Sequence, residues 1–137
     1  MRPSEQFANM TQRFLFRPHQ RLRTAADYQL VYDAGFRAGD QTLLVFVRPN
    51  GLDWSRLGTS VSRKHGNSVV RHRLKRWIRE AFRLQQFDLP VGYDLIVIPR
   101  QGNIASQEEV HRALPFVVKR AIKRIPASDQ SASSNND

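Results

Sequence analysis

Apolar positions recur along this chain in two rhythms. Tyr28, Val31 and Tyr32 repeat at i, i+3, i+4, the spacing of one helix face. Thr24 is a good N-cap for that helix, Asp27 three residues on makes a reduced capping box, and Gly35 closes it. The run from Thr42 to Arg48 (TLLVFVR) is β-branched and aromatic and ends at Pro49-Asn50-Gly51, so it predicts a strand. In Leu57 to Ser62, Leu57, Thr59 and Val61 alternate with small residues, which predicts a second short strand. The turn between these two strands suits a hairpin with a longer loop. Tyr93 to Pro99 (YDLIVIP) is the most apolar run and predicts a central strand. A last helix, Glu108 to Ile125, is marked by apolar residues from Val110 to Ile125 and capped by Ser106 with Glu109. Pro115 is expected to bend or divide it.

The strongest helical pattern lies between the second and third strands. Over Asn67 to Phe87, at 100° per residue, Val70, Leu74, Trp77, Ile78 and Ala81 share one face. Arg71, Lys75, Arg79, His72, Arg83 and Arg76 occupy the opposite half, and Arg73 sits alone at the far shoulder. The order helix, strand, strand, helix, strand, helix predicts an α+β fold or a split βαβ, a small mixed sheet packed with helices. Residues 21–125 are expected to form one domain. Residues 1–20 read as a flexible arm whose Phe7, Phe14 and Phe16 could instead dock, and residues 126–137, rich in Ser, Asn and Asp, as a disordered tail.

Charge changes this picture. Residues 62–83 hold eight Lys or Arg and one acid, Glu80, a net +7 within a chain of net +10. The whole chain carries 22 Lys and Arg against 12 Asp and Glu in 137 residues, an excess that favours a phosphate-rich partner. Arg71/Lys75/Arg79/Arg83 and His72/Arg76/Arg79 are like-charged neighbours along the helix, each pair mildly destabilising in water unless a polyanion relieves it. Arginine outnumbers lysine there, as bidentate phosphate recognition favours. Lys64-His65-Gly66-Asn67 precedes the helix, with Asn67 as N-cap and Gly66 where backbone can approach a phosphate. The plainer alternative for that stretch is a turn and a cap.

Other chemistries are poorly supported. The chain has no cysteine, hence no disulfide and no thiolate metal site. No long apolar run suits a bilayer and the N-terminus lacks a secretory core, so a cytoplasmic protein without membrane partners is expected. An intrinsic nuclease would need an acid–base pair from Lys64, His65 and His72, and no His/Asp/Glu spacing suggests a closed metal site. A structural RNA-binding protein of the ribosome is a third reading.

The stretch Lys64-His65-Gly66-Asn67-Ser68-Val69-Val70-Arg71-His72-Arg73-Leu74-Lys75-Arg76-Trp77-Ile78-Arg79-Glu80 resembles the basic signature of the protein subunit of bacterial ribonuclease P, K-x-G-N-A-V-x-R-N-R-x-K-R-x-x-R-E. Ser68 replaces the usual Ala. His72 replaces the central Asn, so a neutral imidazole's one donor and one acceptor stand in for an amide. Arg21-Leu22-Arg23 with Asp27-Tyr28 and Val31-Tyr32, Leu57 to Lys64, and Gly92 to Ile98 extend the likeness, which covers about Arg21 to Ile125. The resemblance implies a two-layer fold shared with a ribosomal-protein domain and a left-handed βαβ crossover. It implies a protein that binds a catalytic RNA and helps it remove the 5′ leader of precursor tRNA. Hydrolysis is then carried by magnesium held by the RNA, with no cofactor bound by the protein alone. Carried over by residue, Lys64, Asn67, Arg71, His72, Arg73, Lys75, Arg76 and Arg79 contact the catalytic RNA. Tyr28 and Tyr32, joined by Phe46 and Arg48, line a cleft for the leader. The alternative for the tyrosines is ordinary core packing.

Overall fold

The computed structural model describes residues 15–100 and 104–129. Three helices, α1 (Ala25–Ala34), α2 (Ser68–Gln85) and α3 (Gln107–Ile122), pack with four strands, β1 (Phe36–Gly39), β2 (Leu43–Pro49), β3 (Arg56–Thr59) and β4 (Tyr93–Pro99). The α+β class with a small mixed sheet is what the pattern predicts. Thr24 Oγ1 accepts from Asp27 N–H at 3.0 Å and Ser106 Oγ from Glu109 N–H at 3.4 Å, so both expected caps form.

Strand order is β1-β2-β4-β3. β4 pairs antiparallel with β2, Val45 opposite Val97, and parallel with β3, Leu57 opposite Leu95. This corrects the hairpin expected between β2 and β3: β4 lies between them, and α2 is the crossover from β3 to β4. The reason is burial. β4 is apolar on both faces, with Leu95, Ile96 and Val97 all buried, so it takes the middle position, where both edges are paired and both faces covered. β1, which the pattern misses, pairs antiparallel with β2, Arg37 opposite Phe46.

The sheet has two unequal faces. Leu43, Val45, Val47, Leu95 and Val97 join the larger core with Leu74, Ile78 and Phe82 of α2 and Leu114, Val117 and Val118 of α3. Leu22, Val31 and Ile96 form a smaller cluster on the other face, beneath α1, with Tyr28, Tyr32, Phe46 and Ile98 packed against it.

Two further expectations need correction. Residues 15–20 of the expected arm lie on the domain. Phe16 meets Phe82 edge-on at 5.6 Å, Gln20 Nε2 donates to Gln86 Oε1 at 2.8 Å, and Trp54 Nε1 donates to His19 O at 3.1 Å. An apolar side chain beside an open core edge gains more from burial than the arm loses in freedom. The remainder of the arm and the tail after Asp129 lie outside the described residues; of the expected disordered tail, residues 127–129 are instead helical, with Asp129 N–H bonded to Pro126 O at 3.0 Å. Pro115 does not divide α3, which runs unbroken from Gln107 to Ile122.

Candidate nucleic-acid interface

The helix that carries most of the charge begins from a clamp. Residues 63–65 form a single 3-10 turn, and the buried His65 ring is held at both nitrogens: Nδ1 accepts from Ser62 N–H at 2.9 Å and Nε2 bonds Pro99 O at 2.7 Å. A carbonyl only accepts, so Nε2 carries the proton and the ring is neutral. His65 therefore ties the helix start to the end of β4 and has no nitrogen left for acid–base chemistry. Gly66 follows at φ 139°, where a Cβ would meet Val70 at 2.8 Å. Asn67 Oδ1 then caps α2 through Val70 N–H at 3.0 Å.

From that start, α2 divides as the spacing predicts. Leu74, Ile78, Ala81 and Phe82 are buried, and Val70 and Trp77 pack at the core margin. Lys64, Asn67, His72, Arg76 and Arg79 are exposed, and Arg71, Arg73 and Lys75 are half-buried. The Arg73 guanidinium lies over Trp77, 5.3 Å from the ring centre. Among the described residues, none of Arg71, Arg73, Lys75, Arg76 and Arg79 has a carboxylate within ion-pair distance. The Nε atoms of Arg71 and Arg73 are buried with no acceptor among the described residues. Glu80, the one acid of α2, is taken by Arg83, Nε to Oε2 at 3.1 Å, which holds the Glu80 carboxyl below its ordinary range. The helix thus shows a row of cations left uncompensated among the described residues, the arrangement that meets phosphate.

The second cluster lies on the other face of the sheet. Tyr28, one turn before Tyr32 on α1, reaches across to β3, where its hydroxyl accepts from Thr59 N–H at 3.2 Å and donates to Thr59 O at 3.3 Å. Gly58 makes room: a Cβ there would lie 2.7 Å from the Tyr28 hydroxyl and 3.0 Å from Leu22 Cδ1. Burial pushes the Tyr28 hydroxyl pKa up, more than its bond to Thr59 and the positive charge of Arg79 pull it down. That charge is felt because α2 runs past the β3 edge, bringing the basic face near this cluster. Tyr32 meets Phe46 edge-on at 5.0 Å, and Arg37 lies over the Phe46 ring at 5.7 Å.

The structure therefore brings Tyr28, Tyr32, Phe46 and Arg48 onto one face. The tyrosines are only partly buried, so packing alone does not use their rings up. Arg48, two residues after Phe46 on β2, is 3.9 Å from the buried Asp94. Asp94 is held by Arg56, at 2.8 and 2.7 Å, and by Asn50 Nδ2 at 2.9 Å. That bidentate bond raises the Arg56 pKa above its ordinary value. Sequence reasoning missed Arg37 and Arg56. The i, i+2 relation of Asp94 to Ile96 was available, but no local signal pairs it with residue 56.

The described carboxylates do not form a magnesium cage. Asp94 and Glu80 are engaged by arginines, and no group of three or more His, Asp or Glu is placed to hold a metal among the described residues. Among the same residues, no helix is long and apolar enough to cross a membrane.

A basic helix whose cations find no carboxylate among the described residues, on a sheet-backed core with an aromatic cluster on the sheet's other face, is the pattern of small basic α+β proteins that meet nucleic acid. The ribonuclease P family model matches residues 16–122. The ribonuclease P protein component of Thermotoga maritima is 44% identical over 92 residues, covering 67% of this chain and 77% of that protein. That of Thermotoga petrophila is 38% identical over 116 residues, covering 81% and 97%. Among solved structures, the T. maritima protein superposes with TM-score 0.68 at 37% identity, covering 73% of this chain and 96% of that one. The Staphylococcus aureus protein superposes with TM-score 0.67 at 34% identity, covering 74% and 94%. This chain belongs to the ribonuclease P protein family, the protein components of a ribonucleoprotein endoribonuclease.

Proposed function

We propose that the basic face of α2 binds the catalytic RNA of ribonuclease P and that the α1–sheet cleft takes the 5′ leader of precursor tRNA. The observation that carries this reading is the row Arg71, Arg73, Lys75, Arg76 and Arg79, which has no ion-pair partner among the described residues. These cations, with Lys64 and Asn67 at the helix start and His72 in its second turn, neutralise phosphates and donate to phosphate and 2′-hydroxyl oxygens. His65 positions that start by fixing its turn to β4. Tyr32 and Phe46 offer ring faces to unpaired bases, each stack contributing about 1–3 kcal/mol. Tyr28 supports them from below, its hydroxyl anchored on Thr59. Arg48 supplies positive charge at the end of the same strand.

In this reading the protein binds and orients, and no side chain enters the bond-breaking step. Magnesium held by the RNA supplies the hydrolytic chemistry. The site of action is the cytoplasm, with the precursor.

The test is reconstitution. Purified protein added to bacterial ribonuclease P RNA should stimulate 5′ maturation at low magnesium. An unchanged rate at saturating protein sinks the proposal. Tyr32→Ala should then weaken precursor binding while sparing mature tRNA, and equal loss on both substrates rejects the leader cleft alone.

A further inference from the structure

A second cluster of cations lies on the outer face of the last turns of α3 and on the turn that follows it. Lys119, Arg120, Lys123 and Arg124 are all exposed. Phe116, one turn before Arg120, is 57% exposed, and the Arg120 guanidinium sits over its ring at 5.8 Å. Cations near a helix C-terminus are favoured by the helix dipole, which accounts for part of the charge. It does not account for a large aromatic ring held out in water and flanked by arginine. An aromatic among cations is the pattern that takes single-stranded RNA.

The patch is continuous with the aromatic cleft. Arg37 faces the cleft with Phe46, its cross-strand partner on β2. The backbone of Arg37 lies on the outer edge of β1, the end strand of the sheet, and its carbonyl accepts from Arg124 NH1 at 2.7 Å. A line of contacts thus runs from Tyr32 through Phe46 and Arg37 to Arg124, and Arg120, four residues before Arg124, covers the Phe116 ring. It leads around the β1 edge, while α2 approaches the cleft from the β3 edge. A strand lying in the cleft with its cleavage end toward α2 leaves over β1.

We propose that the upstream part of the 5′ leader crosses the β1 edge at Arg37 and lies on the last turns of α3. A base stacks on Phe116, and phosphates meet Arg120, Lys123 and Arg124. This rests on the cleft being the leader site and extends that site. It makes affinity depend on leader length.

The experiment uses the reconstituted ribonucleoprotein and precursors with leaders of about 5 and about 15 nucleotides, within the span that single-strand-binding folds occupy. The variant Phe116→Ala/Arg120→Gln/Lys123→Gln changes exposed positions only and leaves the Arg124 bond in place. It should weaken the long-leader precursor roughly ten-fold and leave the short-leader precursor within about two-fold. Equal weakening of both overturns the proposal and assigns the patch to the tRNA body or the catalytic RNA. Unchanged binding of both also overturns it. Tyr32→Ala, assayed on the short leader, keeps the two ideas apart: loss there with no effect of the triple variant rejects only the extension, and no loss there rejects the cleft. Should the triple variant melt early, a photoreactive group at position 116 replaces it. Crosslinks should then fall upstream of those obtained from position 32, and crosslinks confined to the catalytic RNA overturn the proposal.

Discussion

Gln85 supplies the hydrogen bond that Pro115 lacks. Pro115 has no N–H, so the carbonyl of His111, four residues earlier, loses its helical donor. The Gln85 side-chain amide on α2 donates to that carbonyl at 2.8 Å, while also bonding Ala81 O at 3.1 Å. The bond crosses the α2–α3 contact, so the helix carrying the cations is pinned at the proline turn of its neighbour. Gln85→Leu should destabilise the fold by about 1–2 kcal/mol through the abandoned acceptor. Pro115→Ala restores a backbone donor and should recover more stability in the Gln85→Leu background than in the parent. Urea denaturation of the four proteins measures that coupling, and additivity would contradict it.

Gly58 sets the position of Tyr28. With a Cβ 2.7 Å from the Tyr28 hydroxyl, Gly58→Ala forces α1 or the ring to move. The expected cost is about 1–3 kcal/mol. Shortening the ring partner with Tyr28→Ala should remove most of the added penalty. Chemical denaturation of the single and double variants tests this, and an unchanged midpoint for Gly58→Ala would show that the contact is soft.

The row on α2 implies a steep salt response. For about 6–8 neutralised phosphates, log K for the catalytic RNA should fall against log salt with a slope of roughly −4 to −6. Arg76→Ala and Arg79→Ala should each make the slope shallower by about 1. Filter binding across a salt series reads both; a flat response rules the row out as the contact.

High pH should loosen the fold through its phenols. Burial raises the pKa of Tyr28 and Tyr93 above the ordinary 10.0. Above pH 10.0 the unfolded chain loses these protons first, so the folded state binds more of them and stability falls as pH rises. Their contribution is full below pH 10.0 and is lost through the raised folded-state values. Tyr28→Phe, which keeps the ring, should flatten the decline of the denaturation midpoint. A slope identical to the parent's would remove Tyr28 from the account.

What was legible in the sequence was local. The two faces of α2 follow from a 3.6-residue rhythm that Leu74, Ile78 and Arg71 to Arg79 obey without outside help. The caps at Thr24, Asn67 and Ser106 are likewise short-range. What was hidden depends on partners far along the chain. Phe36–Gly39 (FRAG) has no strand rhythm and becomes β1 only because β2 offers it an edge. The β2–β3 hairpin looked plausible because nothing near residue 50 announces a strand arriving from residue 93. Pro115 reads locally as a bend or a break because its remedy, Gln85, lies 26 residues from His111. For the candidate site, the motif spacing pointed to the cations and the family likeness to the tyrosines. Arg37 and Gly58 emerge only once the sheet is assembled.

The placement of β4 has a consequence for synthesis. A nascent chain that has reached residue 92 already carries every cation of α2, yet lacks Leu95 and Val97, which Leu74 and Ile78 are buried with. Such a chain presents the cations without the central strand that backs their helix. The arginine row gains its fixed backing only with the last third of the polypeptide, when one strand slides between two others.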